Sequence, residues 1–394
     1  MGARSAPASV HFAPQLSMHI TVTNSLKPVP ADAWNALVDA REPFLSHAVL
    51  SGMEELGCLD GHGWHPSHLL AFEDTRLIGA LPLYIRDNSY GEFVFDWAWA
   101  EAYERAGGRY YPKLVSAVPF TPVTGSRLLL ASDAPAATGI SLVNYAIQLA
   151  RDHHFSSWHC LFPTAGQLAA FTHPELIVRE GCQYHWFNQE YRDFDAFLAT
   201  LTSKRRKEIK RERREVSAAG IEIEVYEGRA ITTELWDVFY GFYCDTFDRK
   251  WGSPRFTAPF FKHLSATDTT TPVLFMARVG AEFVAGAFAL RGADTLFGRH
   301  WGCDRFVKNL HFELCYYQTI DYCIRQGLSR VDAGAQGEHK ISRGFNPVKT
   351  WSAHWIRDQG FRRAVADFCQ REREHIDDYV ASIEAQTAYR EADQ

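Results

Sequence analysis

The segment from Leu296 to Pro347 holds the densest set of groups in this chain able to bind and polarise a ligand. Its last part, residues 334–345, strings Gln336, Glu338, His339, Lys340 and Arg343 between glycines at 334, 337 and 344. A cation beside a reacting carbonyl stabilises the charge that develops on its oxygen, and this electrostatic help lowers an acyl-transfer barrier strongly. Lys340 or Arg343 can supply it. His339 or Glu338 can take a proton from an attacking amine. Spacing alone separates neither Lys340 from Arg343 nor either of them from His339. The bland alternative is a loop that these charges merely cap and solvate. Arg299 and Trp301 share one face of the strand upstream, with His300 on the other. His300, His311 and Glu313 lack the spacing of a metal-ligand set, so no metal is expected.

A second constellation spans residues 90–125 and includes Asp96, Trp97, Trp99, Tyr103, Tyr111, Lys113 and Thr121. Flat aromatic faces with hydrogen-bonding tips suit a polar organic ligand such as a sugar or peptide. A packed interface is the alternative. A third, Ser203 to Glu215, reads SKRRKEIKRERRE, with eight basic and three acidic residues on a helical stretch. Lys204, Arg205, Arg206 and Lys207 lie at its start, where free backbone N–H groups also attract an anion. Its alternative is a solvated face laced by ion pairs one turn apart. No G-x-S-x-G motif occurs and no cysteine has a clear histidine partner, so a covalent Ser or Cys nucleophile is disfavoured.

These residues need a scaffold. Leu310, Leu314, Tyr317, Ile320 and Ile324 recur at helical spacing, which predicts a helix over 309–326 with Asn309 as N-cap and Gly327 as the stop. Strands are expected at 295–301 and 329–333 on either side of it. The earlier second half reads as a helix over 194–219, a strand over 221–226 and helices over 231–247 and 256–264. A hairpin follows, 272–279 with 282–291, turning at Gly280-Ala281. A strand at 352–356 and a helix over 361–385 close the chain. The first half repeats this order: helices at 34–40 and 43–56, a hairpin of 69–73 with 77–86, a strand at 92–97, a helix over 136–153 and a strand at 157–162. A stretch at 176–191 reads as a strand able to cross between halves. Two such runs predict an α/β (α+β) protein with mixed, largely antiparallel sheets flanked by helices.

Composition bounds the rest. The 394 residues are 46% hydrophobic with a net charge of −6, enough apolar material for a core in each half and no global field for coating nucleic acid. The eight cysteines are scattered without a CxxC pair, which suggests buried thiols and a cytoplasmic address. No apolar run spans a bilayer and no signal-peptide pattern opens the chain. Residues 1–17, rich in Ala, Ser and Pro, are expected to be a disordered extension.

Three patches together resemble the FemAB-like (peptidoglycan biosynthesis/recognition) family of the GNAT acyltransferase superfamily. They are the helix and strand leading to Lys340, Arg343, Gly344 and Phe345; the basic helix with the strand 219–223; and the set 90–97, 110–114 and 119–125. The likeness runs from about Met18 to the end. It implies tandem GNAT-like domains, an acceptor-side domain over 18–190 and a donor-side domain over 191–394. It also implies transfer of an acyl or aminoacyl group to an amine or a peptidoglycan-precursor acceptor. By this resemblance the donor-loop cation is Lys340 or Arg343, and Lys204, Arg205, Arg206 and Lys207 meet the phosphates of the donor. The superfamily's Arg/Gln-x-x-Gly-x-Gly/Ala turn for the CoA pyrophosphate is missing between strand and helix. That favours aminoacyl-tRNA as co-substrate over acyl-CoA, with no bound cofactor. The alternatives are an acyl-CoA-dependent N-acyltransferase and a non-catalytic protein that binds peptidoglycan or RNA.

Overall fold

The computed structural model describes residues 18–248, 252–334, 337–384 and 387–390. The expected extension over 1–17 lies outside them. Four strands form a small antiparallel sheet: β1 (Met18–Thr23), β3 (His68–Glu73), β4 (Arg76–Leu81) and β7 (Leu129–Leu130). Eleven strands form the main sheet. From one edge they are β10 (Ile221–Glu227), β11 (Thr271–Val279), β12 (Glu282–Arg291), β13 (Thr295–Cys303) and β14 (Arg330–Asp332). Then come β9 (Leu176–Phe187), β15 (Asn346–Ile356), β8 (Ser157–Leu161), β6 (Lys113–Ser116), β5 (Tyr84–Arg86) and β2 (Trp64–Pro66). The mixed, mostly antiparallel α+β architecture is as the sequence predicts.

The halves are joined by exchanged strands. β9 is the last strand before residue 190 but pairs with β14 and β15 of the second half. β15 closes the second half but pairs with β8 of the first. The main sheet therefore runs without a break from the strands of one half into those of the other.

In the second half, alternation on β11, β12 and β13 gives each face its own core. Leu274, Met276, Phe288, Leu290 and Phe297 pack with the helices His47–Glu55, Thr233–Asp248 and Ala258–Ala266. Phe275, Ala285, Ala287, Ala289 and Leu296 pack under Leu310, Leu314, Tyr317 and Ile320 of the opposite layer. The helix expected over 309–326 is present, but residues Glu313–Tyr317 form a π-turn inside it. Asn309 precedes it in a left-handed conformation (φ 65°) and gives its side-chain amide to Glu215 at 2.9 Å instead of capping. Gly327 ends it, left-handed at φ 65°.

Two expectations need correction. The helix predicted over 194–219 is two helices, Phe194–Thr200 and Ser203–Ala218, because Leu201 bridges to Tyr389 and Thr202 N–H donates to the Ala388 carbonyl. The strand expected at 92–97 is an irregular turn leading into the helix Trp97–Arg105. Phe93 there takes φ 61°, and the turn lets the Glu92 and Asp96 carboxylates both reach the Lys113 ammonium. No helix among the described residues is long and apolar enough to cross a membrane.

Candidate functional site

β13 and β14 run parallel and part early. They pair only at Thr295 with Arg330, Leu296 with Val331 and Phe297 with Asp332. On its other edge β13 pairs Gly298 with Ala289 and His300 with Phe288, so Arg299 is the extra residue of a β-bulge. Bulges re-aim side chains and concentrate beside active sites. The parting strands leave a cavity of about 110 Å³ lined by Arg299, His300, Trp301, His311, Cys315, Tyr316, Thr319 and Ala333. The π-turn residues thus form one wall, and π-turns recur at functional sites.

The Arg299 guanidinium crosses this opening. It forks onto the Asp332 carboxylate, with both contacts at 3.1 Å, and lies 5.3 Å from the Phe44 ring on the opposite face of the sheet. Burial pushes the Asp332 carboxyl up, but Arg299 and His185 more than offset this and hold it well below the usual carboxylate range. His185 Nε2 sits 3.7 Å from Asp332, and neither ring nitrogen has a hydrogen bond among the described residues. Burial lowers its pKa to about 4, so it is neutral at pH 7. Sequence reasoning missed His185. The available signal was the alternation of Gln183 and His185 with aromatic residues in a strand expected to be buried.

His185 also lines a larger cleft, of about 820 Å³, on the other side of the opening. Its walls come from both halves: Glu42, Thr124, Ser126 and Thr164 from the first, Asp294 and Arg330 from the second. The order from cavity to cleft is Arg299, Asp332, His185.

The glycine loop separates its two cations. Arg343 is spent: its guanidinium reaches Glu212 at 3.0 and 3.1 Å, Tyr317 Oη at 3.0 Å and the His339 carbonyl at 2.8 Å, and stacks 3.6 Å from the Phe312 ring. The Lys340 ammonium donates to the Ala333 and Gly334 carbonyls, each at 2.8 Å, which leaves one of its three N–H groups. Of the two cations, Lys340 is thus the one with an N–H group to spare among the described residues. His339 is exposed and its Nε2 meets Tyr316 Oη at 2.8 Å, at the cavity wall. The Glu338 side chain and Gln336 lie outside the described residues.

Burial lowers the Lys340 pKa from 10.5 to about 8. Below pH 8 both the folded and unfolded chains hold this proton, and the burial cost is fully present. Between pH 8 and 10.5 only the unfolded chain keeps it, so this group's contribution to stability rises with pH. Chemical denaturation of wild type and Lys340→Met across that window should show the wild type gaining on the order of 3 kcal/mol relative to the variant. A flat difference would mean that Lys340 titrates normally.

The aromatic-rich stretch of the first half does not converge on an open ligand site. Lys113 is fully buried, and its three N–H groups reach Ser89 at 2.8 Å, Glu92 at 2.8 Å and Asp96 at 2.5 Å. Arg86 adds a second cation on Glu92 at 3.3 Å, so two positive and two negative groups balance inside the fold. Asp96 also accepts from Tyr110 at 2.7 Å, and a chain of neutral histidines continues through His159 and His354, 2.6 Å apart. Substrate binding by Asp96 and Lys113 is thus replaced by internal pairing. Trp99 is buried, stacking edge-on with His354 at 5.0 Å and with Phe368 of the C-terminal helix Gln359–Glu384 at 6.2 Å. Tyr103 meets Phe361 of that helix at 4.8 Å, and Tyr111 Oη bonds Ser89 at 2.8 Å. Thr121 is buried, with its hydroxyl on the Pro119 carbonyl at 3.1 Å. Trp97 alone of this set is well exposed, beside Phe95 and Tyr90.

On the basic helix, Lys204 and Lys207 are exposed, Arg205 pairs with Glu208 at 2.9 Å and Arg206 touches Ser203 at 3.3 Å. Arg206, Lys207, Lys210, Arg213 and Arg214 line one groove of about 800 Å³, with Asp193, Asp195 and Asp321 opposite. No group of three or more metal-type ligands occurs among the described residues.

Residues 25–391 match the FemAB-like family, whose description is peptidoglycan biosynthesis/recognition. The chain belongs to that family. No curated protein matches its sequence. Among solved structures, it is similar to the C-terminal domain (DUF2156) of a putative lysylphosphatidylglycerol synthetase from Agrobacterium fabrum. That likeness has 10% identity and a TM-score of 0.50, covering 86% of this chain and 94% of that one. A conserved protein of unknown function from Bacteroides thetaiotaomicron is similar at 12% identity and a TM-score of 0.50, over 86% of this chain and 100% of that one. FemX matches at 10% identity and a TM-score of 0.48, over 78% and 92% of the two chains. The FemAB-like membership carries the link to peptidoglycan biosynthesis or recognition, and the solved structures carry the fold.

Proposed function

We propose that this FemAB-like protein transfers an acyl or aminoacyl group to an amine, with the reacting carbonyl in the opening between β13 and β14. The observation that carries this is the bulge at Arg299, which opens the parallel strand pair beside a small cavity and a buried lysine. The acyl group enters the cavity, which at about 110 Å³ suits a small side chain. Lys340, with one N–H to spare, and Arg299 face the carbonyl oxygen as charge develops on it. The amine approaches from the cleft between the halves and attacks directly. The new C–N bond forms as the donor's C–O bond to tRNA breaks. Neutral His185 takes one proton from the amine, and that proton is passed on to the departing ribose oxygen, so His185 ends neutral and tRNA leaves with its hydroxyl. Holding both reactants in line supplies much of the rate.

For the donor, the groove of arginines and lysines on Ser203–Ala218 suits the phosphates of aminoacyl-tRNA. Charged tRNA and acetyl-CoA should be titrated side by side at low and high salt. Tight tRNA binding that falls steeply with salt, and weakens when Arg206, Lys207 and Lys210 are neutralised, is the expected result. Acetyl-CoA binding without tRNA binding would move the donor to acyl-CoA and leave the helix as plain surface.

A further inference from the structure

The cleft between the halves has a charge pattern that neither the fold nor the transferase reading requires. Half of its charged groups are already paired. Arg41 pairs with Asp39 at 2.6 Å, and Lys349 pairs with Glu180 at 3.1 Å and with Asp377. Three charges remain without an ion pair among the described residues: Glu42, Asp294 and Arg330. Glu42 is held by one oxygen only. Its Oε1 accepts from the Ser126 N–H at 2.6 Å and hydroxyl at 3.1 Å, while Oε2 is buried with no partner. The Asp294 carboxylate accepts the Thr295 hydroxyl at 2.7 Å, and Arg330 donates its Nε–H to the same hydroxyl oxygen, also at 2.7 Å. The Thr124 hydroxyl and both nitrogens of His185, which is 2% exposed, are buried without partners as well.

Buried polar atoms are satisfied in all but a few cases, and exceptions that converge on one cavity call for a ligand. A carboxylate at the cleft wall that is held through one oxygen only is an anchor for an ammonium group. A free guanidinium nearby is an anchor for a carboxylate. The cleft volume of about 820 Å³ is that of a small-molecule site.

We propose that this cleft binds a zwitterion of amino-acid type, its ammonium on Glu42 and its carboxylate on Arg330. The transferase reading decides only what then happens to the amine; capture rests on the cleft alone. His185, between the cleft and Asp332, faces the captured amine.

The test uses the full chain with no acyl donor present. Isothermal titration calorimetry compares a series of ω-amino acids from glycine to 6-aminohexanoate with hexylamine and hexanoate. The series brackets the unknown spacing of the two anchors. Saturable binding of at least one zwitterion, with hexylamine and hexanoate each weaker, is expected. Glu42→Gln keeps an oxygen for Ser126 and should weaken that zwitterion about tenfold or more. Arg330→Gln should weaken it too, without lowering affinity for hexylamine. The proposal fails if no member binds saturably, or if binding is unchanged in Glu42→Gln. Zwitterion binding followed by no acyl transfer would count against the transferase reading alone.

Discussion

Lys113→Met should lower the unfolding free energy by about 3–5 kcal/mol, the cost of stranding buried carboxylates without their cation. The ammonium holds Glu92 and Asp96 together, and Arg86 cannot replace it, since it reaches Glu92 alone. Methionine fills much of the same volume, so the loss reports charge and not a cavity. Urea denaturation followed by circular dichroism measures it. A variant with wild-type stability would mean that the network is dispensable to folding, and would reopen the ligand-binding reading of Lys113.

Arg343→Ala should be comparably damaging, for a related reason. The Glu212 carboxylate is buried on the inner face of the basic helix, and Arg343 is its cationic partner. Among the described residues, removing it leaves that carboxylate with the Tyr317 hydroxyl and takes one of two donors from the His339 carbonyl, which keeps Ser342. A loss of about 3–5 kcal/mol is expected by denaturation, and donor affinity should fall only as far as the folded fraction falls. The double substitution Glu212→Leu with Arg343→Met should recover much of the loss, because it removes both charges together. If Arg343→Ala keeps full stability and loses activity outright, Arg343 and not Lys340 is the cation of the reaction.

These two cases show where the sequence was legible. The hairpin of β11 and β12 is carried by alternation and by Gly280 at φ 59° in the turn, all between Thr271 and Arg291. The helix stop at Gly327 is equally local. The cation loop could be located but not sorted, because Lys340 and Arg343 differ only in what surrounds them. The partner of Arg343 lies 131 residues away, at Glu212. The first-half aromatic stretch misleads for the same reason. Its partners include His354, on the exchanged strand, and Phe361 and Phe368, on the C-terminal helix. The exchange of β9 and β15 has no local sequence signature, since both read simply as buried strands. Glu42 and His185 meet at one cleft only because that exchange brings the halves into one sheet.

If the acyl group sits in the opening between β13 and β14, filling that opening should stop transfer. Ala333 lines that cavity, and its carbonyl, not its side chain, holds Lys340. Ala333→Leu therefore fills the space while leaving the charges in place. Transfer from charged tRNA and from acetyl-CoA to a panel of amines, followed by mass spectrometry of the acylated product, compares this variant with wild type. Wild type should give product, and Ala333→Leu should lose about a hundredfold or more at near-wild-type stability, equivalent to about 2.7 kcal/mol of barrier. Undiminished transfer with the cavity filled would contradict that placement of the acyl group.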